Sequence, residues 1–185
     1  QTMADSGIQY ESIIVGLGKT GRSVLEYLLG RGQSIAAVDS RLRAEDVEDL
    51  QRRYPELPVI LGEFDQDLMC AAGQLVLSPG VSIHEPAIQA AIAAGVSVTS
   101  DVEIFCQQLR TPVVAVTGSN GKSTVVSLLS SMIEKAGHSV GLGGNIGIPV
   151  LDLLKKNVPD FYVLELSSFQ LETLESMNAV AAVIL

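Results

Sequence analysis

The sequence predicts an α/β protein built from two successive units, each on a parallel sheet. Two observations predict it. Glycine-rich loops at residues 16–21 and 117–124 each follow a short β-branched run and each open an amphipathic stretch, so a strand-loop-helix unit occurs twice. Strand and helix patterns also alternate along the chain, which requires crossover connections and hence parallel strands.

In the first unit, residues 13–15 read as a buried strand and 20–29 as a helix, ended by the permissive backbone of Gly30 and Gly32. Residues 35–38 form the next strand. The mixed acids and bases of 41–53 suit an exposed helix face with i,i+4 charge pairs. Residues 75–77 are a strand running into Ser78-Pro79-Gly80, 86–94 a helix stopped by Gly95, and 96–99 a last short strand. A boundary near residue 100 divides a domain at 1–100 from one at 101–185.

The second unit opens with a connecting helix at 101–109, with Asp101 near its N-cap, and a turn at Thr111-Pro112. Strands at 113–116, 139–142 and 161–166 then alternate with helices at 122–136, 148–156 and 168–176, with Pro149 in the first turn of the 148–156 helix. The apolar run 179–185 reads as a final strand without a cap, a turn or a polar tail, so the chain is expected to be the front part of a longer protein.

Composition narrows the function. With 185 residues, 47% hydrophobic and 18% charged, the chain can bury a core and is not disordered. A net charge of −9 argues against a nucleic-acid or anionic-membrane surface, because both require clustered Lys and Arg. No apolar run approaches the roughly 20 residues that span a bilayer, and residues 1–10 lack the pattern of a signal peptide. A soluble, cytoplasmic, monomeric protein is expected. Cys70 and Cys106 match no metal or redox spacing and read as reduced core thiols.

The octet Thr117-Gly118-Ser119-Asn120-Gly121-Lys122-Ser123-Thr124 lies between strand and helix, where successive backbone N–H groups and the helix dipole cradle phosphate oxygens. Gly118 and Gly121 let the backbone approach, Lys122 brings a positive charge to the terminal phosphates, and Ser123 offers a hydroxyl to Mg²⁺. The pattern is a compact P-loop, with Val116 where the longer form has glycine. Downstream, Glu165 at the end of a buried strand is a hard oxygen donor suited to the same ion, or else a helix cap. The glycine-flanked Gly144-Asn145 stretch is either a tight turn or a ligand loop. Ser167 is either a helix N-cap or a substrate contact.

Gly16-Leu17-Gly18-Lys19-Thr20-Gly21 is a G-x-G-x-x-G loop after a strand, and Asp39 closes the next strand, the arrangement of a Rossmann-like dinucleotide site. Taken alone, this loop suits NAD and an oxidoreductase. The phosphate loop behind it suits ATP, and a non-catalytic nucleotide-binding regulatory module would also carry both.

The octet, the segment Gly143-Gly144-Asn145-Ile146-Gly147 and the segment Leu164-Glu165-Leu166-Ser167-Ser168-Phe169-Gln170-Leu171 together resemble the Mur ligases of bacterial cell-wall synthesis over nearly the whole chain. The last segment and the first glycine loop look most like the members that add D-glutamate to UDP-N-acetylmuramoyl-L-alanine. The resemblance implies an ATP- and Mg²⁺-dependent ligase that works through an acyl phosphate, with a Rossmann-like substrate domain followed by part of a P-loop central ATPase domain. It implies that Lys122 and Glu165 are catalytic, that residues 118–124 bind ATP, and that Ser123 and Glu165 hold the metal. The UDP substrate would then meet Gly18, Lys19, Thr20, Asp39, Ser40, Arg41, Ser78, Gly80, Asn145, Ser167 and Gln170. D-glutamate would be bound by a C-terminal domain beyond residue 185, so the 185-residue chain alone is expected to bind the UDP substrate without ligase activity.

Overall fold

A computed structural model describes residues 9–185, and the reading of residues 1–8 lies outside it. The fold divides into two compact units, Gln1–Thr99 and Ser100–Leu185.

The first unit holds β1 (Tyr10–Val15), α1 (Lys19–Leu29), β2 (Ile35–Asp39), α2 (Ala44–Arg53), β3 (Val59–Leu61), α3 (Gln66–Cys70), β4 (Ala72–Leu77), α4 (Pro86–Ala93) and β5 (Ser97–Ser100). Its five-stranded sheet has the order β3-β2-β1-β4-β5. Parallel pairing sets Ile13 against Ala36 on one side and Leu75 on the other. Ile13, Ile14 and Val15 are fully buried, as the continuous apolar run of a strand covered on both faces requires. Val24, Leu25 and Leu28 supply the buried stripe of α1.

Two elements escape sequence patterning. β3 is three partly exposed residues between Pro58 and Gly62, too short for a period. α3 is five residues held by Asp65, whose carboxylate accepts from the N–H groups of Asp67 and Leu68. The charges of α2 do not simply pair along their own helix. They reach across to α1, where Arg22 meets Asp46 at 3.0 Å and Asp49 at 3.7 Å, and Glu26 meets Arg53 at 3.9 Å.

The second unit holds α5 (Asp101–Gln108), β6 (Val113–Thr117), α6 (Lys122–Lys135), β7 (Val140–Gly144), α7 (Val150–Leu153), β8 (Phe161–Glu165), α8 (Ser168–Glu172) and β9 (Ala179–Ile184). Its sheet runs β7-β8-β6-β9, parallel throughout. α6 packs Val126 onto Val116 and Val163. On α5, Phe105 meets Tyr162 edge-on at 5.1 Å.

Ser100 caps α5, its hydroxyl accepting from Glu103 N–H, and Asp101, expected near the cap, is the buried first helical residue. Two expectations are corrected here. The helix expected at 148–156 shrinks to four residues because Pro149 adopts an extended ψ of 139° as its N-cap, and the chain after Leu153 continues in i,i+3 turns. The helix expected to reach residue 176 stops at Glu172, because the Glu103 carboxylate captures the N–H groups of Glu175 and Ser176 at 2.8 and 2.9 Å. Among the described residues, no helix is long and apolar enough to cross a membrane.

Candidate functional site

Parallel strands deliver all their C-terminal ends to one edge of a sheet, and the loops there form the site. In the second unit β6 and β8 are neighbours, with Val116 opposite Glu165, and β8 in turn pairs with β7, with Gly144 opposite Glu165. Three loops therefore meet around Glu165.

The loop leaving β6 turns through Gly118 at φ 130° and Gly121 at φ 81°, conformations that exclude ordinary side chains. A Cβ built at Gly118 falls 2.2 Å from the Leu185 carbonyl oxygen. Gly121 is the N-cap of α6 and offers no side-chain acceptor, so the positive end of this 14-residue helix is left for an anion. Lys122 folds back over the loop, its ammonium donating to the Gly118 carbonyl at 2.7 Å. Ser123 Oγ donates to Glu165 Oε2 at 2.9 Å, and Glu165 is 2% exposed. Ser119, Asn120 and Thr124 occupy exposed or half-exposed positions around the same turn.

Gly144, at φ 119°, passes so close to β8 that a Cβ there falls 2.2 Å from the Glu165 carbonyl oxygen. The next residue, Asn145, donates its backbone N–H to that oxygen at 2.8 Å and is itself exposed. Ser167 caps α8 through a reciprocal capping box with Gln170. The Gln170 side chain points inward, 1% exposed, its amide nitrogen 3.4 Å from Asp101 Oδ1. Of the expected substrate contacts on this turn, Ser167 is half-buried and Gln170 is packed beneath it.

The donor set suits Mg²⁺. Among the described residues no group of three or more His, Cys, Asp or Glu gathers into a metal cage. A hydroxyl and one carboxylate beside a phosphate cradle match an ion that takes few protein ligands and keeps its waters.

The first unit repeats the edge arrangement at its switch point, where β2 and β4 flank β1. Gly16 turns at φ 94°, and Ser78 Oγ donates to its carbonyl at 2.7 Å, tying the loop after β4 to the loop after β1. Gly21 has no room for a side chain, since a Cβ there falls 1.9 Å from Gly16 O. Asp39 accepts from Leu17 N–H through Oδ2 and from Arg41 N–H through Oδ1, both at 2.7 Å. Gly18, Lys19, Ser40, Arg41 and Gly80 lie exposed on the same edge, with Thr20 half-buried. Arg22 was not singled out by its sequence pattern, yet its Nε donates to Leu17 O at 3.3 Å and braces the loop.

Asp101 and Glu103 are also buried, Asp101 beside the N-cap as expected and Glu103 where sequence patterning gave no role. The signal lay in two acids on an otherwise apolar helix start. Burial pushes the Asp101 carboxyl up to about 6 against the hydrogen bonds it accepts. For Glu103, burial acts upward too, but bonds from Ser176, Glu175 and Gln107 prevail and hold it below the usual range. Cys106, buried beside these two carboxylates, is raised to about 12, so its thiol is unreactive at neutral pH.

A glycine cradle, its lysine and a hydroxyl–carboxylate pair define a P-loop α/β unit, preceded in the chain by a Rossmann-like one. The chain belongs to the Mur ligase family: residues 10–100 match the Mur ligase MurD-like N-terminal domain and residues 116–185 the Mur ligase middle domain. It is 50% identical over 174 residues to the UDP-N-acetylmuramoylalanine--D-glutamate ligase of Marinobacter nauticus, covering 94% of this chain and 39% of that protein. Against the protein of the same name from Nitrosococcus oceani it is 53% identical, covering 94% of this chain and 38% of that protein. The chain thus spans about two fifths of the length of these relatives. A solved UDP-N-acetylmuramate:L-alanyl-gamma-D-glutamyl-meso-diaminopimelate ligase from Neisseria meningitides aligns at 19% identity and a TM-score of 0.49, over 84% of this chain and 52% of that one.

Proposed function

We propose that this chain is the N-terminal and part of the central portion of an ATP-dependent ligase joining D-glutamate to UDP-N-acetylmuramoyl-L-alanine in bacterial peptidoglycan precursor synthesis. The observation that carries this reading is the Ser123–Glu165 pair beside the Lys122 loop, in a chain half identical to relatives of that name.

Residues 1–100 would hold the UDP substrate, with its diphosphate over Gly18, Lys19 and Thr20 and its uridine near Asp39, Ser40 and Arg41. Ser78 and Gly80 would complete that crevice. Both Asp39 oxygens accept from backbone N–H groups and keep a further lone pair each for a ligand hydroxyl. Residues 101–185 would hold ATP through residues 118–124, while Asn145 and the Ser167 turn face the acyl end of the substrate. Lys122 would neutralise charge where the γ-phosphate approaches a carboxylate, since two anions must meet. Ser123 and Glu165 would hold Mg²⁺, which supplies further charge neutralisation when bound. An enzyme drawing on ATP and a UDP-linked precursor would work in the cytoplasm, and the protein would act as a monomer. D-glutamate would enter through parts of the protein beyond this chain, so the chain alone would bind the UDP substrate without turnover.

Calorimetry on the 185-residue chain tests the reading. UDP-N-acetylmuramoyl-L-alanine should bind and UDP should compete. Binding of NADH without binding of the UDP substrate would overturn it.

A further inference from the structure

Asp101 is a carboxylate 1% exposed to solvent, and its Oδ2 meets no hydrogen-bond donor among the described residues. Burying a carboxylate with half its acceptors unmet costs stability, and a start to α5 does not require it, because Ser100 already caps the helix. The other oxygen has a partner. It faces Gln170 Nε2, while Gln170 Oε1 accepts from Ser167 N–H at 2.9 Å and from Ser167 Oγ at 3.3 Å. Ser167 lies two residues past Glu165. Two residues along α5, Glu103 takes the N–H groups of Glu175 and Ser176, and the Ser176 hydroxyl besides. The first turn of α5 therefore holds the short α8 at Gln170 and the chain just after it at Glu175 and Ser176, and five residues of helix cannot hold that position alone.

We propose that Asp101 is a positioning residue which, through Gln170 and Ser167, fixes the turn that aims Glu165 at Ser123. This rests on the reading of Ser123 and Glu165 as the metal-holding pair. The chain of contacts is continuous: Asp101 to Gln170, Gln170 to Ser167, and then the backbone on which Leu166 N–H bonds Val116 O at 2.9 Å and Glu165 O receives Asn145 N–H. Loosening its far end lets the Glu165 carboxylate swing away from Ser123 while leaving the glycine cradle intact. Groups that orient a metal ligand from behind matter to affinity nearly as much as the ligand does.

The test uses the 185-residue chain with Asp101→Leu, Gln170→Met, the double variant and Asp101→Asn, which keeps an oxygen for Gln170. ADP affinity is measured with Mg²⁺ and with EDTA, and amide hydrogen exchange is followed at Asn145 and Leu166. Asp101→Leu and Gln170→Met should each cut the Mg²⁺-dependent gain in ADP affinity by about tenfold. The double variant should lose no more, Asp101→Asn should keep the gain, and ADP binding in EDTA should be unchanged. Exchange at Asn145 and Leu166 should quicken in both single variants. Unchanged exchange there, or equal losses of ADP affinity with and without Mg²⁺, would overturn the proposal. A wild-type chain whose ADP affinity ignores Mg²⁺ would sink the metal reading instead, with the exchange rates still deciding the role of Asp101.

Discussion

Ser123 Oγ donates to Glu165 Oε2 across 2.9 Å, joining the first turn of α6 to the end of β8. The contact brings a helix start and a strand end, 42 positions apart in the chain, to one point. Substituting Ser123→Ala removes the donor and leaves a nearly buried carboxylate oxygen short of a partner. The chain should lose about 1 kcal/mol in urea denaturation, and its Mg²⁺-dependent ADP affinity should fall while ADP binding in EDTA stays level. Equal ADP binding by variant and parent in Mg²⁺ would remove Ser123 from the metal site.

Gly144 and Gly137 both sit at positive φ, 119° and 90°, but only Gly144 presses on a neighbour. A Cβ at Gly144 would meet the Glu165 backbone at 2.2 Å, whereas at Gly137 nothing lies within 4 Å. Gly137→Ala should cost about 1 kcal/mol from backbone strain alone. Gly144→Ala should cost several times as much, because β7 and β8 must part. Thermal unfolding of the two variants separates these effects, and similar losses would mean the strand approach is softer than its geometry.

Burial lifts the Asp101 carboxyl from its ordinary 3.8 to about 6. An acid whose pKa rises on folding favours the fold when protonated. That stability is fully present below 3.8 and is lost as pH climbs through about 6, a swing of about 3 kcal/mol. Asp101→Asn holds the site neutral, so it should be more stable than the parent at pH 7.5 by up to about 3 kcal/mol and no more stable at pH 4. Urea denaturation at both values checks the sign. A difference independent of pH would mean that Asp101 keeps its charge state throughout.

What could be read from the sequence follows the range of the interactions. The phosphate loop at 117–124 and the glycine loop at 16–21 are local: a few consecutive residues dictate the backbone, and their placement between strand and helix is visible in a short window. Glu165 stood out because a carboxylate ending an apolar strand is anomalous in itself. The parts that stayed hidden depend on distant partners. The early end of α8 is set by Glu103, about 70 positions upstream, and the inward turn of Gln170 by Asp101. α3 and β3 hid for the opposite reason, being too short to display a period. Arg22 carries no local signal, because its partners, the Leu17 carbonyl and the acids of α2, meet it only in the fold.

Asp39 shapes the ligand loop from within. Its two oxygens accept from the N–H groups of Leu17 and Arg41, so it fixes both the glycine loop and the turn after β2. Asn at this position can accept with one oxygen only, and its amide group would face a backbone N–H, donor against donor. Asp39→Asn should therefore cost about 1–3 kcal/mol in stability. Because the loop it releases is the one proposed to carry the diphosphate, the variant should also bind UDP-N-acetylmuramoyl-L-alanine more weakly, while ADP binding by the second unit is unchanged. Calorimetry with both ligands on the same preparation reads the two effects together. Loss of both affinities would indicate general unfolding, and loss of neither would mean that the loop holds its shape through Ser78 and Arg22 without Asp39.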